Sequence, residues 1–164
     1  MEEAVSPRCV RQLLISRKTL AVGDTPTFHV VIIYDDSASG GRAKHFYDRA
    51  IQELADECAF SFELWSFAVL ALPEIANSVA RATAEADFVI LSMHGKTQLA
   101  FQTRDWLEKW LKLITDHKPA LITLLDRRAT RHGTTASTLA YLRKIADRHG
   151  ISFYAHSYFA LSSN

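Results

Sequence analysis

Five short apolar runs recur along the chain, and amphipathic stretches separate them. The central runs are apolar at both odd and even positions, which is typical of strands that are buried on both faces of a parallel sheet. Strands that alternate with helices predict βαβ units with right-handed crossovers. The predicted strands are Phe28–Tyr34, Phe60–Phe67, Asp87–Met93, Ala120–Leu125 and Ile151–Phe159.

Each of the four intervening stretches places apolar residues on one helical face. Pro73 suits the first turn of the second helix, Thr103 is the predicted cap of the third, and Gly150 is placed to end the fourth. We therefore predict a three-layer, doubly wound domain with five parallel strands in the order 2-1-3-4-5. Only Ala160–Asn164 follows the fifth strand, so no fifth helix is expected. The predicted apolar faces are Phe46, Tyr47, Ala50, Ile51 and Leu54; Ile75, Val79, Ala82 and Ala86; Trp106, Leu107, Trp110, Leu111 and Ile114; and Leu139, Leu142, Ile145 and Ala146.

One face of this predicted sheet is only partly buried by helices, because in this strand order the first helix is the only one predicted on that face. We treat 1–27 as an N-terminal segment and 28–164 as the domain. Ser6 followed by Pro7 is a helix-start signal, and apolar residues follow it at helical spacing, so we predict a helix over 7–17 in the vacant place. A homodimer partner is the alternative occupant.

Composition excludes several classes of protein. With 164 residues, 48% of them hydrophobic and 23% charged, the chain has the profile of one globular domain. A formal net charge of +1 argues against a nucleic-acid or membrane partner. Two cysteines, Cys9 and Cys58, cannot form a disulfide framework, and no apolar run approaches the length of a membrane span. We therefore expect a cytoplasmic location.

Polar residues follow three of the predicted strands at their carboxyl ends. In open α/β sheets, ligands bind beyond those ends, where the strand order reverses. The candidate ligand-binding residues are Asp35, Asp36, Ser37, Ser39, Gly40, Gly41 and Arg42 after the first strand, Ser92 and His94 after the third, and Asp126 after the fourth.

The pair Asp35-Asp36 resembles the acidic pair of response-regulator receiver domains. In that family the pair holds magnesium beside a phosphate-accepting aspartate, which implies Asp35 and Asp36 as metal ligands. Here 92–94 contains no carboxylate, Asp126 replaces a hydroxyl residue, and 156–157 stands where the family has lysine. The resemblance thus implies a non-catalytic binding or signalling module that is not phosphorylated on aspartate and acts through a protein partner or a homodimer.

The stretch Ser37-Ala38-Ser39-Gly40-Gly41-Arg42 resembles the loop with which flavodoxins and flavin reductases wrap the phosphate of FMN. Hydroxyls and glycine amides at a helix N-terminus form an anion site. This second resemblance implies FMN, or another phosphate-bearing ligand, as the alternative function. The simpler interpretation of the glycines is a tight turn and a helix cap.

A third hypothesis takes His94 with Asp35 or Asp36 as an acid–base set. It requires these side chains to lie within hydrogen-bond reach of one pocket, and the sequence indicates no substrate. A hydrogen-bonded loop histidine is the simpler alternative, so we expect a binding module rather than an enzyme.

Overall fold

The computed structural model describes residues 26–95, 98–126 and 133–158. Within these residues, five parallel strands pair in the order β2-β1-β3-β4-β5, as predicted. The strands are β1 (Thr27–Tyr34), β2 (Ala59–Ser66), β3 (Phe88–Met93), β4 (Ala120–Asp126) and β5 (Phe153–Tyr158). The helices are α1 (Ser37–Leu54), α2 (Pro73–Ala84), α3 (Phe101–Leu113) and α4 (Gly133–His149), and a 3-10 turn spans Phe67–Ala71.

Two apolar layers enclose the sheet, one on each face. Alternate residues of β1, β3 and β4 enter opposite layers, and β3 and β4 are buried along their whole length. The first layer contains α1, whose Phe46, Tyr47 and Leu54 are buried there. The second contains α2, α3 and α4, with Trp106 and Trp110 of α3 at most 2% exposed. The sandwich has the three layers that the sequence predicts.

The glycine after α4 ends that helix as predicted. Gly150 has φ +68°, a left-handed conformation in which side chains are strained. The amide of Ile151 then donates to the carbonyl of Ala146 at 3.0 Å. Ile151 therefore belongs to the helix-ending turn, and β5 begins at Phe153 rather than at the predicted position.

Two predictions about α2 and α3 are wrong. The residue that caps α3 is Ala100, and Thr103 lies buried inside the helix instead. Ile75 is 36% exposed because the buried stripe of α2 is rotated onto Val79, Ala80 and Thr83. Thr83 tolerates burial since its hydroxyl donates to a backbone carbonyl one turn earlier.

The predicted helix over 7–17 lies outside the described residues. In the part of the chain that the structure describes, no helix is long and apolar enough to cross a bilayer.

Candidate functional site

An aspartate–histidine pair joins the ends of β1 and β3 at the carboxyl edge of the sheet. Oδ2 of Asp35 lies 2.7 Å from Nε2 of His94, and the two side chains are 28% and 24% exposed. The amide of Asp35 also donates to the carbonyl of Ser92 at 3.0 Å, which holds the two strand ends together. Because a carboxylate only accepts hydrogen bonds, the shared proton is carried by His94 Nε2.

Asp36 has a different role from its neighbour. Its backbone is extended, and its carboxylate accepts from the amide of Ser39 at 2.8 Å, so it is the N-cap of α1. Burial raises the pKa of Asp36, but the hydrogen bonds from Ser39 and the positive charges of His94 and Arg42 outweigh it and hold the pKa below its usual value. The carboxylate therefore stays ionised and occupies the helix N-terminus.

The stretch predicted as a glycine-rich loop is the beginning of α1. A side chain at Gly40 would meet Cδ2 of Tyr34 at 3.1 Å, whereas one at Gly41 would meet no heavy atom within 4 Å. Gly40 thus allows α1 to approach the end of β1. Gly41 and Ser37 are exposed.

Arg42 is inserted between α1 and β4. Its Nη2 donates to Ser39 Oγ at 3.1 Å, and its Nη1 lies 3.9 Å from Oδ2 of Asp126. The Ser92 hydroxyl donates to the Ser39 carbonyl at 2.7 Å. Arg42 Nε is buried with no hydrogen-bond partner among the described residues. These four residues form a structural network behind the edge, with the side chain of Arg42 only 11% exposed.

A pocket of about 280 Å³ adjoins the Asp35–His94 pair. Asp35, Met93 and Gly95 form its inner wall, where β1 and β3 end. The 3-10 turn after β2 and the segment that leads into α3 form the other walls. These further lining residues, which the sequence analysis missed, are Phe67, Ala68, Ala71, Gln98, Leu99, Ala100, Gln102 and Thr103.

A larger cavity of about 670 Å³ lies at the opposite, amino edge. Asp87 is its buried polar residue, and Oδ1 of Asp87 lies 3.3 Å from Nε2 of His117. Most of its other lining side chains are exposed. The carboxyl-edge pocket is the better candidate, because ligands of open α/β sheets bind beyond the carboxyl ends of the strands.

No cluster of three or more metal-ligating side chains occurs in the ranges that the structure describes. The predicted ligands Asp35 and Asp36 contact His94 and the Ser39 amide, respectively. Each contact uses one oxygen of its carboxylate, Oδ2 of Asp35 and Oδ1 of Asp36.

No protein-family model and no curated protein sequence matches this chain. Among solved structures, a homoserine dehydrogenase from S. aureus is similar, with a TM-score of 0.52 and 15% identity over 82% of this chain. The match spans 33% of the dehydrogenase chain. At this identity the likeness shows the fold alone, a Rossmann-like parallel α/β sheet.

Proposed function

We propose that this protein binds a small molecule in the pocket beside Asp35 and that the Asp35–His94 pair exchanges a proton with it. The 2.7 Å contact between these side chains, at the wall of the pocket, carries the proposal. A carboxylate in contact with an imidazole is a frequent acid–base arrangement. The cavity is close to the lower size limit of ligand pockets, about 300 Å³.

The lining of the pocket indicates the class of ligand. Asp35 is the one charged side chain among the described lining residues, and the amides of Gln98 and Gln102 accompany it. Apolar side chains form most of the remaining surface. A neutral or positively charged molecule with hydrogen-bond donors suits this lining, because an anion would be repelled by the carboxylate.

In this arrangement Asp35 is the group that takes the proton of the ligand. His94 is a positioning residue, since its Nε2–H fixes the carboxylate through their hydrogen bond. This proposal develops the acid–base hypothesis drawn from the sequence and takes Asp35, rather than Asp36, as the participating aspartate, because Asp35 contacts His94.

Binding can be tested by titrating the ¹⁵N-labelled protein with a fragment set of small amines, alcohols and nitrogen heterocycles. We expect amide shifts concentrated at Asp35, Gly95 and 98–103, and we expect Ala71→Leu to abolish them by filling the pocket. Ala140→Leu, at an exposed position of α4, is the matched control and should leave binding unchanged. Shifts that are scattered over the molecule, or that survive in Ala71→Leu, would contradict binding at this site.

Proton transfer has a separate test. Small amino ketones, which carry a weakly acidic hydrogen on the carbon next to the carbonyl, are incubated with the protein in D2O, and exchange of that hydrogen is followed by NMR. The wild type should accelerate exchange, and Asp35→Asn should not, although it retains the shape of the pocket. If binding is present and no exchange occurs, the protein is a binding module only.

The receiver resemblance supports a second proposal, a non-catalytic signalling module. The observation that favours it is that β3 ends at Ser92 and Met93, so the place of the phosphate-accepting aspartate holds no carboxylate, while Asp36 caps α1. Treatment with acetyl phosphate should leave the mass of the protein unchanged. A stable adduct on Asp35 or Asp36 would refute this proposal.

FMN binding is the weakest of the three functions. The Ser39 amide, which would have to hold a phosphate, donates to the Asp36 carboxylate instead, and Arg42 is directed towards Asp126. Added FMN should therefore keep its fluorescence. Quenching that Arg42→Gln abolishes would restore the flavodoxin alternative.

A further inference from the structure

The free side of β2 exposes a row of backbone groups. In the described sheet, β2 has β1 as its single neighbour. The amide of Ala59 donates to the carbonyl of Pro26 at 2.9 Å, and such bonds alternate along a parallel strand. Phe60, Phe62 and Leu64 therefore direct their amides and carbonyls away from β1. An edge of this kind is a template for another strand.

The side chains at this edge are apolar and accessible. Phe62 is 40% exposed and Leu64 is 42% exposed, both on the sheet face that carries α1. The Tyr47 ring packs against the Phe62 ring with a centroid distance of 4.7 Å, and the Lys44 ammonium group lies over the Phe62 ring. The charge of Lys44 is balanced by an ion pair with Asp48. The strand itself contains no lysine, arginine or proline, the residues that usually protect an edge.

We propose that this edge pairs antiparallel with the same edge of a second copy of the chain, so that two five-stranded sheets become one. The pairing centres on Phe62, which lies opposite Phe62 of the second copy. Phe60 then lies opposite Leu64, and the three outward-facing residues of each copy exchange six backbone hydrogen bonds with their counterparts. The partner is another copy because this sequence is complementary to itself in that register.

The opposite face of the sheet also fits this register. Ser61 lies opposite Glu63 of the second copy, so a hydroxyl meets a carboxylate. Within each copy, Oγ of Ser61 lies 2.9 Å from Nδ1 of His29, and Oε2 of Glu63 lies 3.0 Å from Nε2 of the same ring. A register centred on Glu63 would instead place two carboxylates opposite each other, which is destabilising. One centred on Ser61 would place Leu64 opposite Cys58, which precedes the start of β2.

Sedimentation velocity over a range of protein concentrations tests the dimer. The wild type should pass from monomer to dimer as its concentration rises. Phe62→Lys and Leu64→Lys should each raise the dissociation constant about tenfold or more. Leu64→Lys guards against a folding defect in Phe62→Lys, whose ring packs on Tyr47. Phe101→Lys, at a position that is 78% exposed and lies on α3, is the matched control and should dimerise normally.

A wild type that stays monomeric throughout would overturn the proposal, as would a Phe101→Lys variant that dissociates as readily as the β2 variants. The register is tested by disulfide cross-linking in a background whose native cysteines are replaced by serine. The double variant Ser61→Cys/Glu63→Cys should cross-link two copies, and neither single variant should. Efficient cross-linking by Ser61→Cys alone or Glu63→Cys alone would contradict the register.

Discussion

Alanine substitutions of the adjacent glycines Gly40 and Gly41 test whether the start of α1 needs glycine for helix packing. In Gly41→Ala the new methyl group enters open space, with no heavy atom within 4 Å. Alanine is a better helix former than glycine, since the unfolded chain loses less backbone entropy on folding. We therefore expect the free energy of unfolding to rise by about 0.5–1 kcal/mol. For a domain of this size, that corresponds to an increase in melting temperature of roughly 1–4 °C.

Gly40→Ala should gain the same stability from the higher helix propensity of alanine, but a steric clash opposes that gain. Its Cβ would lie 3.1 Å from Cδ2 and 3.2 Å from Cγ of Tyr34. Carbon atoms prefer separations of about 3.5–4.0 Å, so the ring has to move. Overpacking of this kind costs about 1–3 kcal/mol. The net result should be a protein no more stable than the wild type and at least about 1 kcal/mol less stable than Gly41→Ala.

The assay is urea unfolding followed by circular dichroism, on the wild type, both alanine variants and Gly40→Ala in a Tyr34→Ala background. Loss of the ring should remove the steric term, so Gly40→Ala should become stabilising there. The reasoning is refuted if Gly40→Ala matches Gly41→Ala in the wild-type background. It is equally refuted if the cost at Gly40 persists after Tyr34 is replaced.

Three other predictions concern the same edge of the sheet and β5. Asp36→Ala should lower the free energy of unfolding by about 1 kcal/mol, because α1 loses its cap. The pKa of Asp36 in the folded protein lies below the usual 3.8. The wild type should therefore have its full stability advantage over Asp36→Asn above pH 3.8, and should lose that advantage as the pH falls through the pKa of the folded protein. Urea unfolding at several pH values measures this difference in stability. Ser92→Ala should cost about 1 kcal/mol in the same assay, because the buried Ser39 carbonyl loses a donor. Burial lowers the pKa of His156, so the unfolded chain binds the proton first and wild-type stability should decline as the pH falls below 6.5. His156→Gln should flatten that decline, and equal slopes would contradict the assignment.

Much of the fold was predictable because burial leaves a periodic signal. Strands β3 and β4 are apolar on both faces, so they were recognised as buried in a parallel sheet. The order 2-1-3-4-5 was the doubly wound arrangement expected for alternating strands and helices, and the structure confirms it. The start of α1 was not recognised, because the small polar residues after Asp36 are equally typical of a turn. Only the extended backbone of Asp36 and its bond to the Ser39 amide show that these residues are helical.

For the candidate site, the sequence predicted which residues would lie at one edge of the sheet but not which contacts they would make. The sequence placed Asp35, Asp36 and His94 at one edge, and the structure brings Asp35 to His94 while Asp36 turns to cap α1. The residues that form the pocket walls could not be recognised in the sequence, because residues such as Ala68 and Leu99 are equally common in protein cores and turns.

From the sequence alone we could therefore determine the class of fold, the strand order and the edge at which polar residues collect. The fold class depends on hydrophobic periodicity, which each segment expresses locally, and the strand order on the doubly wound arrangement expected of alternating strands and helices. The tertiary structure decided which carboxylate meets the imidazole, why Gly40 is required beside Tyr34, and that an apolar row lies open along β2. Such features depend on how segments far apart in the chain pack against each other, and no local sequence pattern encodes that packing.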